Sequence, residues 1–170
     1  MNRGRVPSPV PAADSRVFAV AGGNHVTLML RGEESAGVLD VIEVLAQPGG
    51  GPPPHRHAFA EWFYVREGEL TIAQARDDIV GFSRVLRTGE SVWMAPWTVH
   101  GTLNLSDAPA RFLVVGQPAA MTGYFTEAGV PVTDEDTPPT RKPPGPRELA
   151  SIASRWGIEF WTGPVDMTPV

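Results

Sequence analysis

Four histidines are the residues of this chain whose type and spacing point most directly to chemistry. They stand at positions 25, 55, 57 and 100, and the chain has no cysteine. His55 and His57 are followed by Glu61. In an extended strand alternate side chains share a side, so these three would converge on one face. Two imidazoles and one carboxylate on a common face are typical ligands of a divalent metal ion.

The same alternation adds two aromatic residues to the predicted inward face. Phe59 and Phe63 share the parity of the histidines, whereas Arg56, Trp62 and Tyr64 would face the opposite side. The two phenylalanines either line a pocket beside the metal or fill the core of a β-domain. Both alternatives stay open on the sequence alone.

Short apolar or alternating segments between residues 16 and 117 must position these side chains. Gly, Pro and Asp separate them at close intervals, which is typical of an antiparallel sandwich or barrel. We therefore predict an all-β antiparallel sandwich or barrel over residues 16–117. The predicted strand segments are 26–30, 38–46, 59–65, 70–75, 82–86, 92–94 and 112–115.

A barrel of this kind would bring the segment 89–103 beside the histidine strand. His100 is therefore the predicted third imidazole, and we expect His25, near the edge, to have no role. Two large side chains just before His100, those of Met94 and Trp97, are further candidates for the substrate pocket. Trp97 is predicted to lie in a loop at the pocket mouth.

The flanking segments differ from the predicted barrel. Residues 1–15 carry prolines at 7, 9 and 11, which indicates a flexible N-terminal arm. Residues 118–170 form a proline-rich, helical C-terminal extension that we expect to pack on the barrel. Its two apolar stripes have helical spacing and favour a packing role. They are Met121, Tyr124, Phe125 and Ala128, then Leu149, Ile152, Ala153 and Trp156.

The composition excludes several classes of function. Without cysteine there is no thiolate nucleophile, and the one lysine, Lys142, lies in a proline-rich run, which argues against Schiff-base or P-loop chemistry. A formal charge of −5 disfavours nucleic acid and anionic membranes as partners. With no apolar run of membrane-spanning length, we expect a cytoplasmic protein with a small-molecule substrate.

Two spaced motifs resemble those of the cupin superfamily, and they absorb three of the four histidines. The first is Gly49, five residues, His55-x-His57, three residues, Glu61, six residues and Gly68. The second is Gly89, ten residues, His100, three residues and Asn104. The usual Pro-x-Gly turn before the histidine is replaced by Ala95-Pro96-Trp97, so Trp97 stands where the family has glycine.

The resemblance implies a double-stranded β-helix, which is a jelly-roll barrel, and a protein that is commonly dimeric. The helical spacing described above adds one or two short C-terminal helices in this chain. It implies one divalent transition metal, which could be Fe, Ni, Mn, Cu, Co or Zn, with Glu61 also acting as the catalytic base. Gly68, Gly89 and Asn104 are interpreted as turn or supporting residues. The implied metal ligands are His55, His57, Glu61 and His100.

Three hypotheses for function follow from the resemblance. The segment 121–131 and the terminal stretch 153–160 are similar to those of small single-domain cupins like quercetin 2,3-dioxygenase. The first hypothesis is therefore a dioxygenase acting with dioxygen on a small, flavonol-like enol or phenol. The second is a non-oxidative cyclase, isomerase, lyase or dehydratase in natural-product metabolism. The third is a non-catalytic small-molecule-binding cupin.

Overall fold

The computed structural model describes residues 16–75, 83–163 and 165 of the 170-residue chain. These residues form two antiparallel sheets that face each other across an apolar core, with two helices after the barrel strands. The predicted all-β jelly roll with short C-terminal helices is confirmed. The predicted arm, residues 1–15, lies outside the described residues.

Twelve strands make up the two sheets. They are β1 (Val17–Ala19), β2 (His25–Leu30), β3 (Asp40–Ala46), β4 (His55–His57), β5 (Ala60–Glu67), β6 (Glu69–Ala75), β7 (Ser83–Arg87), β8 (Ser91–Met94), β9 (Val99–Leu103), β10 (Ala110–Gln117), β11 (Val130–Val132) and β12 (Ile158–Phe160). One sheet has the order β11-β1-β2-β3-β10-β5-β8 and the other β12-β4-β9-β6-β7.

The core lies between the sheets because each long strand alternates apolar and polar side chains. On β10 the buried Phe112 and Val114 alternate with half-buried residues, and on β5 Phe63 and Val65 are buried between half-buried Trp62 and Tyr64. These inward residues belong to one continuous apolar cluster. The predicted inward and outward parity of the 59–65 segment is therefore confirmed.

The histidine segment is not the single strand that the alternation predicted. β4 pairs in the five-stranded sheet, whereas β5 pairs in the seven-stranded sheet. Two residues, Ala58 and Phe59, connect them. The chain changes sheets here, so His57 and Glu61 approach each other from opposite walls of the barrel.

Two helices follow the barrel strands, as the apolar stripes predicted. Helix α1 (Met121–Ala128) ends at Gly129, and helix α2 (Pro146–Arg155) begins at a proline, which suits the first helical position. The helices contact each other, α1 contacts β3 and α2 contacts β12. Neither is long or apolar enough to cross a membrane, and they are the two α-helices of the described residues.

The C-terminal extension also contributes a strand to each sheet. β11 pairs with β1 at one edge of the seven-stranded sheet, and β12 pairs with β4 beside the histidines. Three residues are too few to show a period of two, so the sequence did not predict these strands. The extension is thus part of the barrel wall as well as a cover for it.

Candidate metal centre

Three strands bring the predicted ligands together. His55 and His57 come from β4, Glu61 from β5 and His100 from β9. His55 and His100 are direct cross-strand partners in the five-stranded sheet, and Glu61 reaches them from the other sheet. The four side chains form one group whose ligand atoms all lie within 4.8 Å of one another.

Glu61 is the centre of this group. Its Oε2 lies 2.8 Å from Nε2 of His100 and 3.1 Å from Nε2 of His57. Ligand atoms that bind one metal at about 2.1 Å and at right angles lie about 3.0 Å apart. The two measured distances agree with that geometry.

Backbone carbonyls fix the tautomer of all three imidazoles. Nδ1 of His55, His57 and His100 lies 3.0, 2.8 and 2.9 Å from the carbonyl oxygen of Pro53, Phe59 and Thr98, respectively. A carbonyl can only accept, so each Nδ1 carries the proton and donates it. Each Nε2 is then left with the lone pair that a metal requires.

Stacking adds a second constraint on His57. The ring of Phe59 lies parallel to the imidazole, with the centroids 3.6 Å apart and an interplanar angle of 4°. The same residue supplies the carbonyl that accepts from His57 Nδ1. Phe59 therefore holds both the tautomer and the orientation of this ligand.

Burial and charge set the protonation of the group. Burial, assisted by the charge of His100, lowers the pKa of His55 to about 3, so His55 is neutral at neutral pH. Burial alone would raise the pKa of Glu61, but its hydrogen bonds with His100 and His57 outweigh burial and lower it. Burial opposes the charged form of His100, yet a hydrogen bond from a protonated Nε2 to Glu61 raises its pKa. A metal bound at Nε2 would take the place of that proton. The ionised carboxylate thus requires a positive charge beside it.

These residues fit a divalent metal ion. His57, His100 and Glu61 are 1–5% exposed, so a carboxylate is held away from water among imidazoles. An ionised carboxylate in such a place is costly unless a cation neutralises it. Three Nε2 lone pairs and one carboxylate are a donor set that binds Fe, Ni, Mn, Cu, Co or Zn.

The loops around the ligands depend on close backbone approach. A Cβ on Gly51 would lie 1.9 Å from the carbonyl oxygen of Thr102, so only glycine lets the loop before β4 pack on β9. Asn104 is fully buried, and its amide donates to the carbonyls of Ala46 and Ala108. Asn104 thus holds a loop, and it is not among the four grouped ligands.

A cavity of about 150 Å³ opens beside the ligands. Its walls are almost entirely apolar and aromatic, and none of its described lining residues is lysine or arginine. A cavity of roughly this volume accommodates a benzene ring. The site therefore suits a small, uncharged, largely hydrophobic molecule.

Two of the four predicted pocket residues line this cavity. Phe59 and Phe63 do, beside His55, His57 and Glu61. Met94 is buried in the apolar cluster at the position paired with Glu61, and it does not line the cavity. Trp97, which is 55% exposed, does not line it either. For Met94 and Trp97 the pocket prediction is therefore corrected.

The backbone of Trp97 explains why the related motif has glycine there. Trp97 has a φ of 64°, in the left-handed region that glycine adopts most readily. Its amide donates to the carbonyl oxygen of His57 at 2.7 Å. The turn shape is thus kept despite the substitution, and the indole points to the surface.

The sequence analysis did not assign a pocket role to the C-terminal extension. All four residues of the α1 stripe line the cavity, as do Ile158 and Phe160 of β12 and Leu149 of α2. The interpretation of α1 as only a packing element is therefore too narrow. Helical spacing revealed an apolar face, but not that this face encloses a cavity.

His25 lies apart from the grouped ligands, as expected. It begins β2 and pairs there with Ala19 and Leu45, and it is not among the residues that could share a metal.

Comparisons with known proteins place this architecture. The jelly-roll barrel encloses a His₃Glu group that could hold a metal ion, and residues 42–116 match the family model described as the cupin domain. The match runs from β3 to β10 of the barrel. A search of curated protein sequences finds no match.

Solved structures agree with this fold. An RmlC-like cupin from Shewanella frigidimarina is 18% identical, with a TM-score of 0.54 over 67% of this chain and 93% of that one. The polyketide cyclase RemF from Streptomyces resistomycificus is 22% identical, with a TM-score of 0.54 over 66% and 80%. An oxalate oxidase in complex with glycolate is 25% identical, with a TM-score of 0.53 over 69% of this chain and 62% of that one.

Proposed function

We propose that this protein is a metal-dependent cupin dioxygenase that acts on a small enol- or phenol-bearing aromatic substrate. The observation that supports this most is a buried carboxylate held between two imidazoles at the end of an apolar cavity. A divalent metal, when bound, would act as a Lewis acid that lowers the pKa of an enol or phenol oxygen. His55, His57, Glu61 and His100 would hold it.

Glu61 has one oxygen for the ligand group and one for the substrate. Oε2 contacts His57 and His100, whereas Oε1 has no hydrogen bond to any other described residue. Glu61 also lines the cavity. We infer that Oε1 accepts the proton of the substrate hydroxyl as a general base while Oε2 stays with the imidazoles.

The cavity wall supports an uncharged aromatic substrate. A substrate with a charged group away from the metal, such as a sugar phosphate, would need a cation to pair with that group, and the described lining offers no lysine or arginine. A flavonol-like molecule would place one ring inside, since the volume matches a single ring.

Oxygen uptake tests the proposal. The protein, loaded separately with each of the six candidate metals, is mixed with a panel of flavonols and single-ring enols and phenols in an oxygen electrode cell. We expect metal-dependent oxygen consumption that is lost in Glu61→Gln and His57→Ala. His25→Ala is the matched control and should keep it, because His25 lies outside the ligand group.

The alternatives give different results in the same panel. Product formed equally fast without oxygen would support a non-oxidative cyclase, isomerase, lyase or dehydratase and overturn the dioxygenase. Tight ligand binding with no product would support a binding protein instead. The homodimer implied by the family resemblance stays a prediction, which light scattering would check.

A further inference from the structure

The part of the cavity wall formed by α1 carries a tyrosine that the metal chemistry does not use. Helix α1 presents four residues to the cavity, and three of them, Met121, Phe125 and Ala128, are apolar. The fourth, Tyr124, carries a hydroxyl. Tyr124 lies outside both cupin motifs, so neither motif accounts for a hydroxyl at this place.

The hydroxyl of Tyr124 has no hydrogen bond to any other part of the chain that the structure describes. Its ring packs edge-on against Phe125, with the centroids 4.9 Å apart. Burial raises the pKa of Tyr124 to about 12, so the phenol keeps its proton at neutral pH. A partly buried donor beside a cavity requires a partner there, either water or a ligand.

Other polar side chains of the wall are already engaged or lie elsewhere. The amide of Asn24 donates to the carbonyl of Ala21, and its oxygen accepts from the amide of Gln47. Thr102 lies two residues after His100 on β9 and shares its inward face, so its hydroxyl is at the wall that carries the ligands. On the face of α1 that lines the cavity, the hydroxyl of Tyr124 is therefore a donor that bonds to no other described residue.

We propose that Tyr124 determines specificity by donating a hydrogen bond to a second oxygen of the substrate. The inference rests on the proposed function, since the first oxygen is the enol or phenol bound at the metal end. It narrows the substrate class to uncharged aromatics that carry a hydroxyl and, separately, a carbonyl or ether oxygen. A hydroxyl in the cavity wall that loses its water and finds no acceptor disfavours analogues that lack this oxygen.

Two ligands of nearly equal size test this role. In 4-hydroxyacetophenone a carbonyl stands where 4-ethylphenol has a methylene. The 3-isomers give a second pair, in which this substituent leaves the ring at a different angle from the hydroxyl. Calorimetry on the metal-loaded protein would give the four affinities for the wild type and for Tyr124→Phe. We expect Tyr124→Phe to weaken the better-bound hydroxyacetophenone by about three- to tenfold and to leave the ethylphenols unchanged.

The other tyrosine provides the matched control. Tyr64 stacks on Trp62 on the outer side of β5 and does not line the cavity, so Tyr64→Phe should change no affinity. Tyr124→Phe should keep the melting temperature of the ligand-free protein, because no protein hydrogen bond is lost. A purely structural role for the hydroxyl would lower that temperature instead.

Several results would overturn the inference. They are an equal loss of affinity for both ligands in Tyr124→Phe, no loss for either, the loss appearing in Thr102→Val instead, or no binding of any of the four ligands at millimolar concentration. A failure of the metal-site proposal looks different. In that case His57→Ala leaves the affinities unchanged while the discrimination by Tyr124 persists.

Discussion

The two ends of the cavity are built in different ways. The metal end consists of four polar side chains whose positions are fixed by backbone carbonyls and by one another. The helical end, which we define as the cavity-lining face of α1, consists of apolar and aromatic side chains with one hydroxyl that bonds to no other described residue. The first end is suited to one kind of chemistry, and the second to selecting which molecule reaches it.

This difference indicates how the barrel separates reaction from specificity. Polar ligands require distances accurate to fractions of an ångström, and neighbouring strands supply that rigidity. The side chains of α1 can change without moving those strands, because α1 packs mainly on β3 and α2, which carry no ligand. Substitutions at the two ends should therefore have separable effects.

The largest effect is expected at Glu61. Glu61→Gln keeps the shape of the side chain but removes the negative charge and the base, so turnover should fall by about a hundredfold or more. Steady-state kinetics measures this. Glu159→Gln is the control, because the carboxylate of Glu159 on β12 lies in a solvent-exposed ion pair with Arg56 on β4. Full turnover in Glu61→Gln would contradict the assignment of the base.

A smaller effect is expected at the helical end. Phe125→Ala removes a half-buried ring from the cavity wall, which should cost about 2 kcal/mol of folding stability. The enlarged cavity should bind 4-butylphenol better relative to 4-ethylphenol, with metal affinity unchanged. Urea denaturation and calorimetry measure the two quantities, and Val38→Ala at an exposed position is the control. A loss of metal in Phe125→Ala would show that the ends are not separable.

Substitution of Trp97 in its turn should raise the folding stability, whereas Phe125→Ala lowers it. Its left-handed backbone costs a non-glycine residue about 1 kcal/mol, and its exposed indole loses little contact, so Trp97→Gly should be slightly more stable. Ala36→Gly, at the other described non-glycine residue with positive φ, should behave alike. A clear loss of stability in Trp97→Gly, seen by thermal denaturation, would mean that the indole supports the metal end.

The smallest effect is expected where the two ends join. Asp40 and Glu61 flank Gly116 in neighbouring strands, and Asp40 accepts hydrogen bonds from the amide and hydroxyl of Thr122 at the start of α1. Burial raises the pKa of Asp40 above its usual 3.8, and the bonds from Thr122 only partly oppose this. Glu61 differs because two imidazoles face it.

The raised pKa of Asp40 predicts the direction in which folding stability changes with pH. A carboxyl group with a raised pKa in the folded state adds most to stability below about pH 3.8, and that contribution is lost as the pH rises through the folded-state value. Asp40→Asn cannot titrate, so its stability relative to the wild type should increase as the pH rises from 4 to 7. Denaturation at several pH values measures this, and a constant difference would contradict it.

The metal end could be predicted from the sequence, whereas the helical end could not. His55 and His57 are two residues apart, and Glu61 follows four residues after His57, so local alternation already put them on one side. The switch from one sheet to the other at Ala58 and Phe59 was not visible, because it preserves that alternation. The side-chain parity was therefore correct although the strand assignment was wrong.

Long-range packing explains the rest. The stripe on α1 correctly predicted a helix and its buried face, but periodicity does not say which surface the face meets. The inclusion of Met94 and Trp97 in the pocket relied on their closeness to His100 along the chain. In the structure Met94 is buried in the core. Trp97 lies at the surface, in a turn where its backbone is left-handed.

The central claim is that the three Nε2 atoms and Glu61 hold one divalent metal ion. Its most direct test is elemental analysis of the purified chain after incubation with each candidate metal and removal of unbound ion. We predict about one ion per chain for the wild type and for His25→Ala, and a large loss for His57→Ala and His100→Ala. A wild-type chain that retains no ion in stoichiometric amount, or retention that depends on His25, would contradict the account.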